Sequence, residues 1–149
     1  MVLVAQVAPA QDKIKLGFIA AQSGPLGVLG VEQRRGLDLA LEHLGNRLGG
    51  VPTEVFNADS KGNPGVAVQE ASKLVEKDKV DLVTGGTASN EVMAMVKPIT
   101  SAGVFFIASL GGPSPLAGKE CNPNYFNVAF QNDQLSEGMG EYMTKRGVK

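Results

Sequence analysis

The sequence predicts an α/β fold: a parallel five-stranded sheet between helical layers, three layers in all. Three observations carry that prediction. Short apolar runs alternate along the chain with stretches of helical periodicity. Most of these runs end in a cluster of Gly, Ser, Pro or Asn, as strands do where the backbone turns. One run, Val104-Phe105-Phe106-Ile107-Ala108, is apolar without a break, which suggests a strand buried on both faces of a parallel sheet. A chain of 149 residues is long enough for one domain with a real core.

The elements follow in order. Residues 14–20 read as the first strand, and the run from Gln22 to Gly27 is a turn cluster. A helix over 28–46 is predicted from Leu37, Ala40, Leu41, Leu44 and Leu48, which fall on one helical face. Arg34, Arg35, Asp38, Glu42 and Arg47 then form its solvated face, and Gly49-Gly50 stops it. Residues 52–57 read as the second strand and 59–63 as a polar loop. Asn63-Pro64 is an N-cap followed by proline at the first helical position. The helix it opens runs to about residue 79, with Ala67, Ala71, Leu74 and Val75 inward. A third strand over 80–84 leads through a small-residue loop to a helix over 90–102. Pro98 is expected to kink that helix or end it early, and Met93, Met95 and Val96 read as core. The fourth strand, 104–108, is followed by a Gly/Pro loop over 109–124. A fifth strand covers 125–130. A last helix over 133–146 sets Leu135, Met139, Tyr142 and Met143 on one face.

Bulk properties exclude several functions. The net charge is −1 and only 5% of residues are aromatic, so neither electrostatics nor stacking favours nucleic acid. No apolar run approaches the ~20 residues of a membrane-spanning helix. Cys121 and His43 are the single cysteine and histidine, which argues against a protein-only zinc site. A lone cysteine reads as a small buried or inert residue. The first ten residues end in Ala8-Pro9-Ala10, which fits a small-residue signal cleavage site, but no basic segment precedes it. Residues 1–12 therefore read as either a signal-peptide remnant or a plain leader.

The stretch from Val80 to Asn90 organises the rest. It reads as a strand, a loop of small residues and the first turn of a helix. Such a junction leaves backbone N–H groups uncovered at the positive end of the helix dipole, a plain way to hold a carboxylate or phosphate. In parallel sheets ligands bind beyond the C-terminal strand ends. The loops there are 22–27, 85–90 and 109–114, all poor in charge. Neither a phosphate-binding G-x-x-x-x-G-K-[ST] nor a dinucleotide G-x-G-x-x-G is present. The segment from Gly112 to Leu116 lacks the closing glycine of a nucleophile elbow. His43 falls on the outer half of the first helix, away from the three loops. Asp59, the nearest acid to them, reads as a loop or capping residue. No catalytic residue, metal ligand or cofactor is expected, and binding without reaction remains. For Ser89 and Asn90, helix capping and ligand contact both stay open.

Three segments carry a resemblance. The first is residues 14–20 followed by Ser23-Gly24-Pro25. The second is Asp78-Lys79-Val80-Asp81-Leu82-Val83-Thr84-Gly85. The third is Gly112-Pro113-Ser114-Pro115-Leu116-Ala117-Gly118-Lys119, continuing Cys121-Asn122-Pro123-Asn124-Tyr125-Phe126. Together they resemble the periplasmic solute-binding proteins of branched-chain amino-acid-type ABC transporters, in the branch associated with aromatic and other organic carboxylates. The resemblance implies two flavodoxin-like α/β lobes with ligand held between them. Residues 13–131 would be the first, ligand-binding lobe, and 132–149 the helix that begins the second. The chain would then be a fragment or a truncated product. The family's first-lobe contacts fall on Ser23, Leu29, Gly86, Ala88, Ser89, Asn90, Leu110, Gly111 and Gly112. A hydroxyl seats the ammonium of amino-acid ligands at the position equivalent to Gly112, which argues against an α-amino acid here. The resemblance also implies a small carboxylate ligand, a membrane permease as partner and a periplasmic location. It further implies a disulfide from Cys121 to a cysteine outside this chain. The alternative is an assembly module that forms homodimers through its unpartnered last helix.

Overall fold

The computed structural model describes residues 13–148, so the leader read over 1–12 lies outside the described residues. The chain forms β1 (Ile14–Ala20), α1 (Gly27–His43), β2 (Arg47–Leu48), β3 (Val51–Asp59) and α2 (Pro64–Ser72). It continues as β4 (Leu82–Gly85), α3 (Ser89–Ser101), β5 (Phe105–Ala108), β6 (Tyr125–Asn127) and α4 (Asn132–Lys145). The strands lie in the order β2-β3-β1-β4-β5-β6. Neighbours from β3 to β6 are all parallel, which is the expected five-stranded, flavodoxin-like sheet. β2 is an addition, pairing antiparallel with β3 through Arg47↔Pro52 and Leu48↔Val51. Gly49 and Gly50 do more than stop a helix. Both have positive φ, 57° and 83°, as a tight two-residue hairpin demands.

α1 ends earlier than its periodicity suggests. Gly45 and Asn46 turn the chain through left-handed conformations, and Leu48 passes into β2. Leu44 is left 55% exposed and Ala40 is exposed too. The true inward line is Gly30, Gln33, Leu37 and Leu41. Arg34, read as solvated, lies with its guanidinium 5.7 Å from the Phe18 ring centroid and donates to Asn57 Oδ1. α2 begins as expected, with Asn63 Oδ1 accepting from the N–H groups of Gly65 and Val66. It widens into a π-helical turn over Lys73–Lys77, and β4 starts at Leu82, two residues late. α3 runs through Pro98 to Ser101. The proline falls in the last turn, where little helix remains to break.

Side-chain alternation gives the sheet two unequal faces. On one, Ile19, Val83, Phe106 and Ala108 pack with Ala67 and Ala71 of α2 and Val92, Met95 and Ile99 of α3. Met93 and Val96 pack against this cluster, the core role expected of them. The other face presents Leu16, Phe18, Leu82, Thr84, Phe105, Ile107 and Phe126. α1 covers Leu16 and Phe18 there, which are 2% and 1% exposed. Beyond α1 no described element covers the sheet, and Phe105 and Phe126 are 47% and 51% exposed. The unbroken run 104–108 is thus buried on one face only, against expectation.

Candidate functional site

The three loops named from the sequence converge at the C-terminal strand ends, where β1 and β4 lie side by side with their following helices on opposite faces. That is the switch point of a parallel sheet. The Gly86 N–H donates to Ile19 O at 2.8 Å and the Ala21 N–H to Thr87 Oγ1 at 2.9 Å, closing the gap between the two strands. The Gly111 N–H donates to Gly86 O at 3.0 Å and the Ser109 N–H to Gly85 O at 2.8 Å, joining the third loop to the second.

Gln33 ties these loops from below. Its Oε1 accepts from Thr87 Oγ1 at 2.7 Å, and its Nε2 donates to Ser109 Oγ at 2.8 Å. Nothing in the sequence singles out Gln33, Thr87 or Ser109, because their partners are 54 and 76 residues apart. The first loop has its own brace. Asp59 Oδ2 accepts from the Ser23 hydroxyl at 2.6 Å, and Oδ1 accepts from the N–H groups of Gln22, Ser23 and Lys61. Burial raises the Asp59 pKa, but the Ser23 hydroxyl and these N–H donors outweigh it and hold the carboxyl below its ordinary range. Asp59 is the loop-capping residue that its position suggested.

At the start of α3 the N-cap is Ala88, which has no side-chain acceptor. Neither Ser89 nor Asn90 is the cap. The Ala88 N–H is taken by Glu91 Oε2 at 3.0 Å, and the Glu91 N–H by Asn90 Oδ1 at 2.9 Å. Among the described hydrogen bonds the N–H groups of Ser89 and Asn90 have no partner. The Ser89 hydroxyl accepts from Asn132 Nδ2 at 2.9 Å, which leaves its own proton available to donate. The Asn132 N–H also donates to Gly112 O at 2.9 Å, so one residue joins Ser89 to Gly112. Glu91 is fully buried and its Oε1 has no partner among the described residues.

Two of the glycines here bear on the site directly. Gly86 has φ of 78°, and a Cβ there would sit 2.5 Å from Val92 Cγ2. At Gly112 a Cβ would collide with the Phe130 carbonyl oxygen. Any side chain at 112 would need the 127–130 segment to move.

The structure therefore gathers Gly86, Ala88, Ser89, Asn90, Gly111 and Gly112 around the start of α3, with half-buried Leu110 beside Gly111. Ser23 is turned into its bond with Asp59, and Leu29 lies 46% exposed in the first turn of α1. His43 is exposed, as expected, and so is Cys121, which was expected to be buried or inert. Among the described residues no cluster of His, Cys, Asp or Glu is suited to a metal ion, and no helix is long and apolar enough to cross a membrane.

Comparison with known proteins identifies the family. Residues 13–149 match the periplasmic binding protein family. The chain belongs to that family. A Leu/Ile/Val-binding protein homolog of Brucella suis biovar 1 is 36% identical over 105 residues, covering 68% of this chain and 26% of that protein. A solute-binding protein of an ABC transporter from R. palustris, solved in complex with benzoate, is 31% identical at a TM-score of 0.85. That match covers 91% of this chain and 38% of the other. The substrate-binding protein of a branched-chain amino acid transporter from Streptococcus pneumoniae, in complex with isoleucine, is 29% identical at a TM-score of 0.73, covering 80% and 34%. This member of the periplasmic binding protein family thus spans about a quarter to just over a third of these relatives' lengths.

Proposed function

We propose that this chain is the carboxylate-holding lobe of an ABC-transporter solute-binding protein, with residues 13–131 as that lobe and 132–149 leading toward a second. The observation that carries the proposal is the start of α3, where Glu91 and Asn90 take the N–H groups of Ala88 and Glu91 but those of Ser89 and Asn90 have no described partner. Two N–H groups without a described partner and a Ser89 hydroxyl whose proton is not used within the lobe's described bonds lie beside the side-chain-free backbone of Gly111 and Gly112. Converging N–H and O–H donors at a helix N-terminus suit an anion of carboxylate size. Leu110 and Leu29 supply apolar walls.

Gly112 favours an aromatic or other organic carboxylate over an α-amino acid, because no hydroxyl stands there to meet an ammonium and no side chain fits. The role is binding without catalysis, in the periplasm, with a membrane permease as the receiving partner. Closure of a second lobe would complete the burial that small-molecule sites need. If a complete site binds near ~1 μM, a lobe keeping half that free energy binds near ~1 mM.

The test is a benzoate titration of the ¹⁵N-labelled chain. The amides of Ser89, Asn90, Gly111 and Gly112 are expected to shift together, with Kd near ~1 mM. Ser89→Ala should weaken the effect several-fold. Shifts confined to other regions would overturn the site, and micromolar binding by a monomer would overturn the half-site reading.

A further inference from the structure

Among the described residues Glu91 is the one charged side chain that is fully buried. Its surroundings are therefore set by the lobe itself. It sits in the first turn of α3, the turn that also carries Ser89 and Asn90. Its Oε2 accepts from the Ala88 N–H at 3.0 Å, and its Oε1 has no described partner. None of the described ion pairs includes it. Burying a carboxylate without a counter-ion opposes folding. Helix capping alone does not call for that charge. At the start of α4 the neutral side chain of Gln134 does the equivalent work, its Oε1 accepting from the Gln131 N–H at 3.0 Å.

The charge lies behind the candidate anion site. The Ser89 amide follows that of Ala88 in the chain, so an anion accepting from the Ser89 N–H stands on the order of 6 Å from the Glu91 carboxylate. Both draw on the positive end of one helix dipole. Glu91 and Asn90 also withdraw two donors from that end, the N–H groups of Ala88 and Glu91. The N–H groups of Ser89 and Asn90 and the Ser89 hydroxyl remain. That set suits the two oxygens of a carboxylate better than the four of a tetrahedral anion.

We propose that Glu91 sets the charge selectivity of this site, admitting singly charged carboxylates and disfavouring doubly charged tetrahedral anions such as sulfate. The inference rests on the reading of the α3 start as an anion site. Coulomb repulsion scales with the charge of the ligand. In a partly wet site at ~6 Å, one ligand charge facing Glu91 lowers affinity on the order of tenfold, and two charges on the order of a hundredfold. Glu91 itself touches no ligand. It acts through its charge and through the donor it removes, a built-in repulsion against the wrong ligand.

Amide-shift titrations of the ¹⁵N-labelled full chain with benzoate and with sulfate, at fixed ionic strength, test it. Wild type is expected to prefer benzoate at the amides of Ser89 and Asn90. Glu91→Gln keeps an acceptor for the Ala88 N–H and removes the charge. It should tighten benzoate about tenfold and sulfate about a hundredfold, so the preference for benzoate falls about tenfold. Glu91→Met, of similar volume, removes the charge and the bond together. It should narrow the preference at least as far, and bring the Ala88 amide among those that sulfate shifts. Circular dichroism verifies folding, and either variant alone suffices. A purely structural Glu91 would change both affinities by the same factor. An unchanged preference, with shifts still at Ser89 and Asn90, overturns the role of Glu91 and leaves the site standing. If neither anion moves those amides in any of the three proteins, the site itself falls and the selectivity proposal with it.

Discussion

The two faces of one sheet differ in what covers them. On the α2–α3 side, Phe106 is wholly buried, with Tyr125 packed edge-on at 5.6 Å between ring centroids. On the opposite side the preceding residue, Phe105, is half exposed with only Phe126 as aromatic neighbour. The same strand, with near-identical β-propensity at adjacent positions, thus carries one core residue and one surface residue. Composition does not distinguish them. What does is the route of the connections: β3–α2–β4 and β4–α3–β5 both cross on one face, and among the described residues only α1 crosses on the other.

The largest expected effect separates the faces directly. Phe106→Ala should cost about 3–5 kcal/mol, because burial is lost and a cavity is left behind. Phe105→Ala in the monomer should cost about 1 kcal/mol or less, since half of that ring is already in water. Urea unfolding of both variants at low concentration measures the contrast. Equal losses would mean that the β5 face is covered in solution even in the monomer.

A second contrast lies between the two loop braces. Asp59 holds the first loop by hydrogen bonds of its own, whereas the second and third loops share Gln33. Gln33→Leu removes the acceptor for Thr87 and the donor to Ser109, and leaves a buried Thr87 hydroxyl with reduced bonding. The expected loss is about 1–3 kcal/mol. Hydrogen exchange should quicken at Gly86, Thr87 and Gly111 while the amides of Gln22 and Ser23 keep their protection. If all five change alike, the braces are one unit and the contrast fails.

The sequence was most legible where a rule is local. Asn63-Pro64 announced the start of α2 because a cap and its helix are neighbours in the chain. The glycines around Ser89 pointed to the loop that meets β1 and the third loop. The hairpin at Gly49-Gly50 was also written locally, but a helix stop and a hairpin turn use the same residues. Long-range features were hidden. Leu44 shared a helical face with Leu37 and Leu41 by periodicity, yet the left-handed turn at Gly45 and Asn46 ended the helix before that face could pack. Gln33 looked like any polar residue of a surface helix. Its role appears only when residues 54 and 76 positions away are brought to it. The one-sided burial of 104–108 depends on which face each crossover takes, which apolarity alone does not encode.

The smallest expected effect tests the packed face at one of its buried, partnerless polar groups. The Tyr125 hydroxyl is buried without a partner among the described residues, and burial pushes its pKa up to about 12. An unpaired hydroxyl in an apolar setting opposes folding, whereas the ring itself packs against Phe106. Tyr125→Phe keeps the ring and removes the hydroxyl, so stability should stay the same or rise by up to about 1 kcal/mol. A thermal melt compared with wild type decides it. A loss of more than about 1 kcal/mol would mean that the hydroxyl has a partner in solution, and the contrast between a finished face and a bare one would then extend to its polar groups as well.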